Sequence, residues 1–563
     1  MESQTVTRSP VHETTSGPRA EYTRRLVLRR AAAARHAGID TALSAGRLSV
    51  AIAAALIAWL ALGAEALSLW WLAAPAAVFL ALAVYQEVIV RSVRRLARAA
   101  EYYEGCLARL DDRWAGRGEP GQRFQDETHL FAPDLDLFGH GSLFELLCTA
   151  RTRAGEETLA KWLRGPAEPG EIRARQEAVD ELRGRLDLRE DLALLGTDVR
   201  AGIDPDALAS WGCSPPVLTR RAIPVAGALL AAAAIAALVT WSIGLTGPTP
   251  LLIALILEVA FSYALRAQVH RVVSAVDRAG RDLALLSHLL RRLEQENFTS
   301  PRLASLRAAL DSQGHPPSKR IARLGRLIEL LDARRNQLFA PLGGLLLWTI
   351  QIAHAIEAWR THSGTSIGKW LSAVGEIEAL AAIAGYAYEH PGDPFPEIVD
   401  GPMVFEAVAV GHPLLPEDRC VVNDVALGGD LRVLIVSGSN MSGKSTLLRC
   451  VGVNVVLAQA GAPVRARRLR LSPTALGASI RIQDSLQAGT SRFYAEITRL
   501  RAIVDATGGP RPVLFLIDEM LHGTNSHDRR IGAEAVVRGL IGRGAMGLVT
   551  THDLALAEIA QKL

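Results

Sequence analysis

Residues Gly438 to Thr446 read Gly-Ser-Asn-Met-Ser-Gly-Lys-Ser-Thr, a spacing suited to holding a polyphosphate. Glycine at 438 and 443 lets the loop curl so that successive backbone N–H groups face an anion that a Cβ would obstruct. Behind the second glycine, Lys444 can reach β and γ phosphates, and the Ser445 hydroxyl can ligate magnesium. The candidate phosphate-binding residues are therefore Gly438, Ser439, Asn440, Met441, Ser442, Gly443, Lys444, Ser445 and Thr446. A short apolar run, Leu431 to Val436, predicts a strand leading into the loop. The stretch that follows predicts a helix starting near Lys444, whose positive N-terminal end adds to the anion site.

Two later positions complete a hydrolytic set. Val513 to Ile517 reads as a buried strand ending in Asp518-Glu519. An acid at the carboxyl end of such a strand can hold magnesium through water, which assigns Asp518 to the metal with Ser445. The next carboxylate, Glu519, is placed to polarise an attacking water. A further strand, Met546 to Val549, ends in Thr550-Thr551-His552-Asp553 and brings His552 toward the γ-phosphate as a hydrogen-bonding sensor. A lone histidine there is more often a surface residue; its place behind the other two motifs favours the sensor.

These residues need an α/β scaffold. From residue 401 the chain alternates short β-branched runs with helical stretches, whereas residues 87–220 and 266–390 are charged and helical in period. The chain has 563 residues, enough for several folded units, and a net charge of +4, so bulk charge announces no nucleic-acid partner. Its five cysteines are far apart, with no metal-ligand spacing, and read as reduced thiols.

Hydropathy adds a second theme. Leu48 to Ala64 and Ala66 to Tyr85 form one pair of apolar runs, and Ala222 to Leu245 and Thr249 to Leu265 form another. Each run is about the 17–25 residues that a bilayer core requires of a helix. Arginines flank the outer ends: Arg24 to Arg35 before the first run, Arg91 to Arg98 after the second, Arg220 and Arg221 before the third, Arg266 and Arg271 after the fourth. The positive-inside rule then leaves both termini and the long middle segments in the cytoplasm. Alanine-rich core helices are the alternative. Glu258, inside the fourth run, is either a functional intramembrane acid or a residue facing a partner helix or interface. Leu342 to Ile356 reads instead as an amphipathic core helix, with Gln351, His354 and Glu357 along one side.

The resulting fold class is multidomain: an all-α core with two transmembrane helical hairpins, followed by a C-terminal α/β P-loop ATPase domain. The segments are 1–46, disordered and then basic; 47–86, hairpin 1; 87–220, helical core; 221–265, hairpin 2; 266–400, helical lever and core; and 401–563, the ATPase domain.

The motifs resemble, in order, those of the MutS family of DNA mismatch-repair ATPases, within the ABC-type class. Gly438 to Thr446 resembles its phosphate loop, Ser485 to Glu496 its serine-containing signature, Asp518-Glu519 with Gly523 to Ser526 its Walker B region, and Thr551-His552 its terminal switch. Gly411 to Leu415 with Asn423-Asp424 resembles the segment that shelters the adenine base, which brings in His412 and Asn423. Gly141 to Arg164, Ile172 to Leu182 and Trp370 to Leu380 resemble parts of the family's helical core. The resemblance implies ATP and Mg2+ as ligands. It also implies a homodimer in which Ser491 of one subunit contacts the γ-phosphate bound by the other.

In place of the family's mismatch-reading domain, with its Phe-x-Glu wedge, this chain begins with a basic tail and an apolar hairpin. Phe395-Pro396-Glu397 lies beside the ATPase junction and reads as coincidence. The plan is similar to membrane-anchored MutS-like proteins of bacteria, which implies a multi-pass protein of the inner (cytoplasmic) membrane with its soluble domains in the cytoplasm. Two functions follow as expectations: an ATPase that binds mismatched or branched DNA, or a membrane-associated mechanochemical ATPase acting on a protein or lipid. Arg320 to Arg326 and Arg465 to Arg470 are the basic runs that could touch phosphates.

Overall fold

The computed structural model describes residues 17–62, 67–200, 204–220, 222–311, 314–335, 339–439, 441–481, 492–521 and 525–552. The chain divides into two compact units, residues 1–118 and 119–563, so the segment 87–220 read from sequence straddles the division.

The first unit is a pair of long helices, α1 (Pro18–Leu62) and α2 (Ala73–Leu110). Their cross-contacts pair early residues with late ones, as an antiparallel hairpin requires. Arg19 bonds Asp111, Tyr22 packs on Tyr103, Arg30 pairs with Glu104, His36 meets Ser92, and Arg47 donates to Gln86. Towards the turn no further such pair follows among the described residues, and Leu48, Ile52, Leu56, Trp59, Leu80 and Val84 stand exposed. The basic residues before the first apolar run are thus one unbroken helix with it from Pro18; residues 1–16, read as disordered, lie outside the described residues.

The second unit begins with α3 (Leu143–Leu147), α4 (Arg153–Arg164), α5 (Pro169–Arg183), α6 (Leu186–Arg200) and α7 (Pro205–Cys213). An apolar hairpin follows, α8 (Ala222–Ser242) and α9 (Thr249–Glu294). Helices α10 (Pro301–Leu310), α11 (Pro317–Asp332), α12 (Ala340–Leu345) and α13 (Trp348–Glu389) complete the helical part. Side-chain caps fix several starts: Ser142, Thr152, Asp204 and Ser300 each accept a backbone N–H from the first turn that follows. Helix α9 has 46 residues and does not break at 265; its first half is apolar and its second half packs into the core through Leu283, Leu286, Leu290 and Leu293. Four helices, two per unit, are long and apolar enough to cross a membrane by length and composition.

Helix α13 is the axis of the helical core, apolar nearly all round from Trp370 to Tyr386 and correspondingly buried. The structure corrects the reading of Leu342 to Ile356 as one amphipathic helix. The helix breaks at Leu346 and Leu347, the latter at φ +47°. The polar side is also turned inward: Gln351 donates to the Pro224 carbonyl (3.1 Å), and buried Glu357 accepts from Val217 N–H (2.7 Å) and pairs with Arg360. A polar stripe marks a helix face, but not what covers it.

The remaining elements are β1 (Glu397–Ile398), β2 (Val404–Val410), β3 (Asn423–Gly428), β4 (Val433–Ser437), α14 (Lys444–Ala460), β5 (Arg468–Leu471), β6 (Ala475–Ser479), α15 (Arg492–Ala506), β7 (Val513–Asp518), α16 (Ser526–Gly542) and β8 (Met546–Thr551). They form a mixed sheet, β1-β5-β2-β3, and a fully parallel sheet, β4-β8-β7-β6. Helices α15 and α16 pack on the parallel sheet through Ile503, Val537 and Leu540 against Phe515, Ile517 and Val549, and its strands are apolar up to their carboxyl ends, where Ser437, Ser479, Asp518 and Thr550-Thr551 stand. The helical part grips this domain through α5. Buried Arg175 stacks on Trp162 at 4.0 Å and donates to the Gln459 carbonyl near the end of α14, and Gln176 donates to Pro396 O (3.0 Å).

Candidate functional site

Register gathers the site at the carboxyl edge of the parallel sheet. Ser437 of β4 pairs with Thr551 of β8, and Asp518 of β7 pairs with Thr550. The glycine loop, the Glu519 turn and His552 therefore leave the sheet at one level, where ligands of open parallel sheets bind. Strand β8 lies between β4 and β7, so His552 emerges between the loop and the two acids.

The loop itself is built on Gly438, whose N–H extends the ladder to Thr551 O at 3.3 Å, and on Gly443, at φ +89°. A Cβ on Gly438 would meet Ser442 Oγ at 3.0 Å. Lys444 is buried, and its Nζ donates to the carbonyls of Gly438 (2.7 Å) and Ser439 (2.8 Å), so a cation lies under the curl of the loop at the N-terminus of α14. Ser439, Met441, Ser442 and Thr446 are exposed and Ser445 is half-buried in the first turn of α14. Asn440 lies outside the described residues.

Asp518 accepts a hydrogen bond from the buried Thr550 hydroxyl, which fixes one carboxylate oxygen. Glu519 has a left-handed backbone, φ +44°, unusual for a residue with a Cβ, and its N–H donates to Thr550 O (3.2 Å). That turn aims its carboxylate at His552: Glu519 Oε1 and His552 Nδ1 are 3.1 Å apart. A strained backbone at a strand end beside a glycine loop is a common mark of a working site.

Sequence reasoning missed what holds this turn. Leu521, also left-handed (φ +58°), donates its N–H to Glu496 Oε1, and Arg529 Nε donates to Leu521 O (3.3 Å). Glu496, in α15, is buried. The sequence carried one signal for it, an acid closing the signature-like stretch, with no role attached. Asp134 was likewise unmarked: it accepts from the N–H groups of Ile480 and Arg481, both at 2.7 Å, just before residues 482–491. Those residues, including Ser491, lie outside the described residues, as do Gly523 and Thr524.

His412 is buried rather than open. Its Nδ1 accepts from Leu414 N–H (3.2 Å) and its own N–H meets Cys420 Sγ (3.1 Å), while burial, aided by Arg449, pushes its pKa down to about 4. Asn454 of α14 donates to the neighbouring Gly411 carbonyl (2.8 Å), tying this segment to the helix that begins at Lys444. Asn423 is exposed at the start of β3, in the mixed sheet, and its side chain makes no hydrogen bond to the glycine loop among the described residues. The two basic runs also divide. Arg320 is buried while Arg323 and Arg326 face out, and in the second run Arg465, Arg468 and Arg470 pair with Asp393, Glu397 and Glu406.

Comparison with known proteins agrees with this geometry. The model of MutS domain V matches residues 434–563, the segment that carries every strand end just described. The chain is 36% identical over 158 residues to Endonuclease MutS2 of Thermus thermophilus, covering 28% of this chain and 21% of that protein. It is 34% identical over 227 residues to DNA mismatch repair protein MutS of Chlorobium phaeovibrioides, covering 38% and 25%. A longer match, 28% over 477 residues, to DNA mismatch repair protein MutS of Myxococcus xanthus covers 75% of this chain and 51% of that one. The chain thus spans about half or less of these relatives. By its C-terminal domain and by these matches, the chain belongs to the MutS family.

Proposed function

We propose that the chain binds and hydrolyses ATP with Mg2+ at this site, as a homodimer anchored in the bacterial inner membrane by four helices with its soluble parts in the cytoplasm, and that it acts on mismatched or branched DNA. The observation that supports the hydrolytic reading best is the convergence of Lys444, Asp518, Glu519 and His552 at one edge of a parallel sheet. Family membership supports the DNA reading, the relatives being named DNA mismatch repair proteins.

The residues present suit a nucleoside triphosphate. Lys444 exchanges its two loop carbonyls for β and γ phosphate oxygens, and the curl that Gly438 and Gly443 permit brings backbone N–H groups to the same anion. Ser445 and Asp518 would hold Mg2+, which neutralises phosphate charge; one hydroxyl and one carboxylate suffice for an ion that keeps several waters. Glu519 accepts the proton of the attacking water, and His552 holds that carboxylate in line. Ser491 of a second copy closes the site from the other side, so that triphosphate joins two domains and hydrolysis parts them.

The deciding experiment is the ATPase rate of the detergent-solubilised full chain, wild type against Lys444→Ala and Glu519→Gln, with and without homoduplex, mismatched and branched DNA. Turnover unchanged in both variants overturns the site. Turnover that is lost in the variants but indifferent to every DNA, with no salt-dependent DNA binding, overturns the DNA reading and leaves the mechanochemical alternative.

A further inference from the structure

Alongside the second apolar hairpin runs a groove of about 710 Å³, within the roughly 300–1,000 Å³ of ligand-sized clefts. Leu251 and Leu255 of α9, Leu238 of α8, and Leu345 and Leu347 at the break before α13 form its walls. Three polar residues interrupt this lining, and they are not scattered. Glu258, Ser262 and Arg266 follow one another at four-residue steps, so they form one ladder along α9, about 6 Å per step.

The ends of the ladder lack partners. Glu258 is 4% exposed, and its Oε1 has no hydrogen-bond partner among the described residues. Arg266 is exposed, and its guanidinium lies 4.0 Å from the centre of the Tyr263 ring, with no carboxylate paired to it among the described residues. An exposed cation stacked on an aromatic ring where the apolar half of a helix ends is the usual arrangement of a residue at a headgroup level.

We propose that this groove holds one anionic phospholipid, its phosphate on Arg266, its ester oxygens accepting from the Ser262 hydroxyl and from Glu258 in its protonated form, and an acyl chain along Leu255 and Leu251. The inference rests on the membrane anchoring proposed above. The order of chemistry down the ladder — cation, hydroxyl, carboxyl, then leucines alone — follows that of the lipid from phosphate to chain. A free phosphate would use only the first rung and leave the apolar length uncovered. A zwitterionic headgroup would bring its own cation to Arg266.

The test is native mass spectrometry of the detergent-solubilised full chain after incubation with phosphatidylglycerol, phosphatidylcholine or inorganic phosphate. Wild type is expected to retain one phosphatidylglycerol, and Arg266→Gln and Leu255→Trp each to lower that retention at least tenfold while detergent ATPase activity stays as in wild type. Equal retention of phosphatidylcholine, unchanged retention in both variants, displacement by inorganic phosphate, or a second protein chain in place of lipid would each overturn the groove. Alkaline carbonate extraction separates the two levels. A chain released from membranes refutes the anchoring itself, and one that stays in the membrane but retains no phosphatidylglycerol refutes only the groove.

Discussion

Glu519 Oε1 and His552 Nδ1 stand 3.1 Å apart, on turns that leave neighbouring strands one residue beyond Asp518 and two beyond its partner Thr550. An imidazole that donates from Nδ1 to a carboxylate presents Nε2 as an acceptor unless both nitrogens are protonated. The two side chains are therefore expected to act as a unit. Glu519→Gln and His552→Ala should each lower kcat by about 10²–10³, in the range for losing one preorganised electrostatic group. The double variant should be little worse than the weaker single one. Fully multiplicative losses in steady-state kinetics would show that the pair does not function as one.

Lys444→Ala should remove both ATP binding and turnover, because in the proposed site the ammonium that holds Gly438 and Ser439 is the one that would meet the phosphates. Equilibrium titration with a fluorescent ATP analogue checks this directly. Affinity within about threefold of wild type, a difference near 0.7 kcal/mol, would remove Lys444 from the site.

Glu496 positions the Glu519 turn through the Leu521 N–H. Glu496→Ala is expected to lower kcat by about 10–100-fold with KM for ATP nearly unchanged, the pattern of a lost transition-state interaction. Glu496→Gln, which keeps an acceptor oxygen, should restore most of the rate. A matching rise in KM, or no rescue by glutamine, would point to general loss of structure.

The helical core should respond to pH through Glu378. This fully buried carboxyl, on α13, accepts from Thr152 Oγ1 and from the N–H groups of Thr152 (3.2 Å) and Arg151 (3.3 Å), yet burial outweighs those bonds and raises its pKa to about 7. Between the ordinary value of 4.5 and about 7 the folded state binds more protons than the unfolded one, so this group's contribution to stability falls as pH rises through that window. His412, depressed to about 4 from 6.5, gives the opposite slope across the lower part of it. Thermal melts of wild type and Glu378→Gln from pH 5 to 8 should therefore converge at the acid end and separate towards pH 8, the wild type losing ground. Parallel curves would refute the assignment.

Legibility in the sequence follows how local the physics is. The glycine loop, the strand ending at Asp518 and the strand before His552 each declare themselves within a dozen residues, because a phosphate loop needs glycines at fixed spacing and a parallel strand needs an apolar run. Contacts that span the chain do not declare themselves. Nothing near Glu378 says that its partner is Thr152, 226 residues away, and nothing near Glu496 says that it closes a turn 25 residues on. Periodicity placed Glu357 on a polar face; only the fold shows that α13 turns that face towards Val217 and buries it with Arg360. The break at Leu347 follows Gly343 and Gly344 but falls on two leucines, so the apolar run continues across it and the segment reads as one helix. Arg468 and Arg470 read as a basic run because the acids that neutralise them come from β2 and from the segment before it.

Helix α9 runs from Thr249 to Glu294 without a kink residue spent at the boundary between its apolar and charged halves. At 1.5 Å per residue it is a stiff rod about 69 Å long, so swinging its buried end by about 5° sweeps the opposite tip through about 6 Å. Whatever rearrangement reaches Leu286 and Leu293 is thus delivered, amplified and with no intervening hinge, to the far end of the second hairpin.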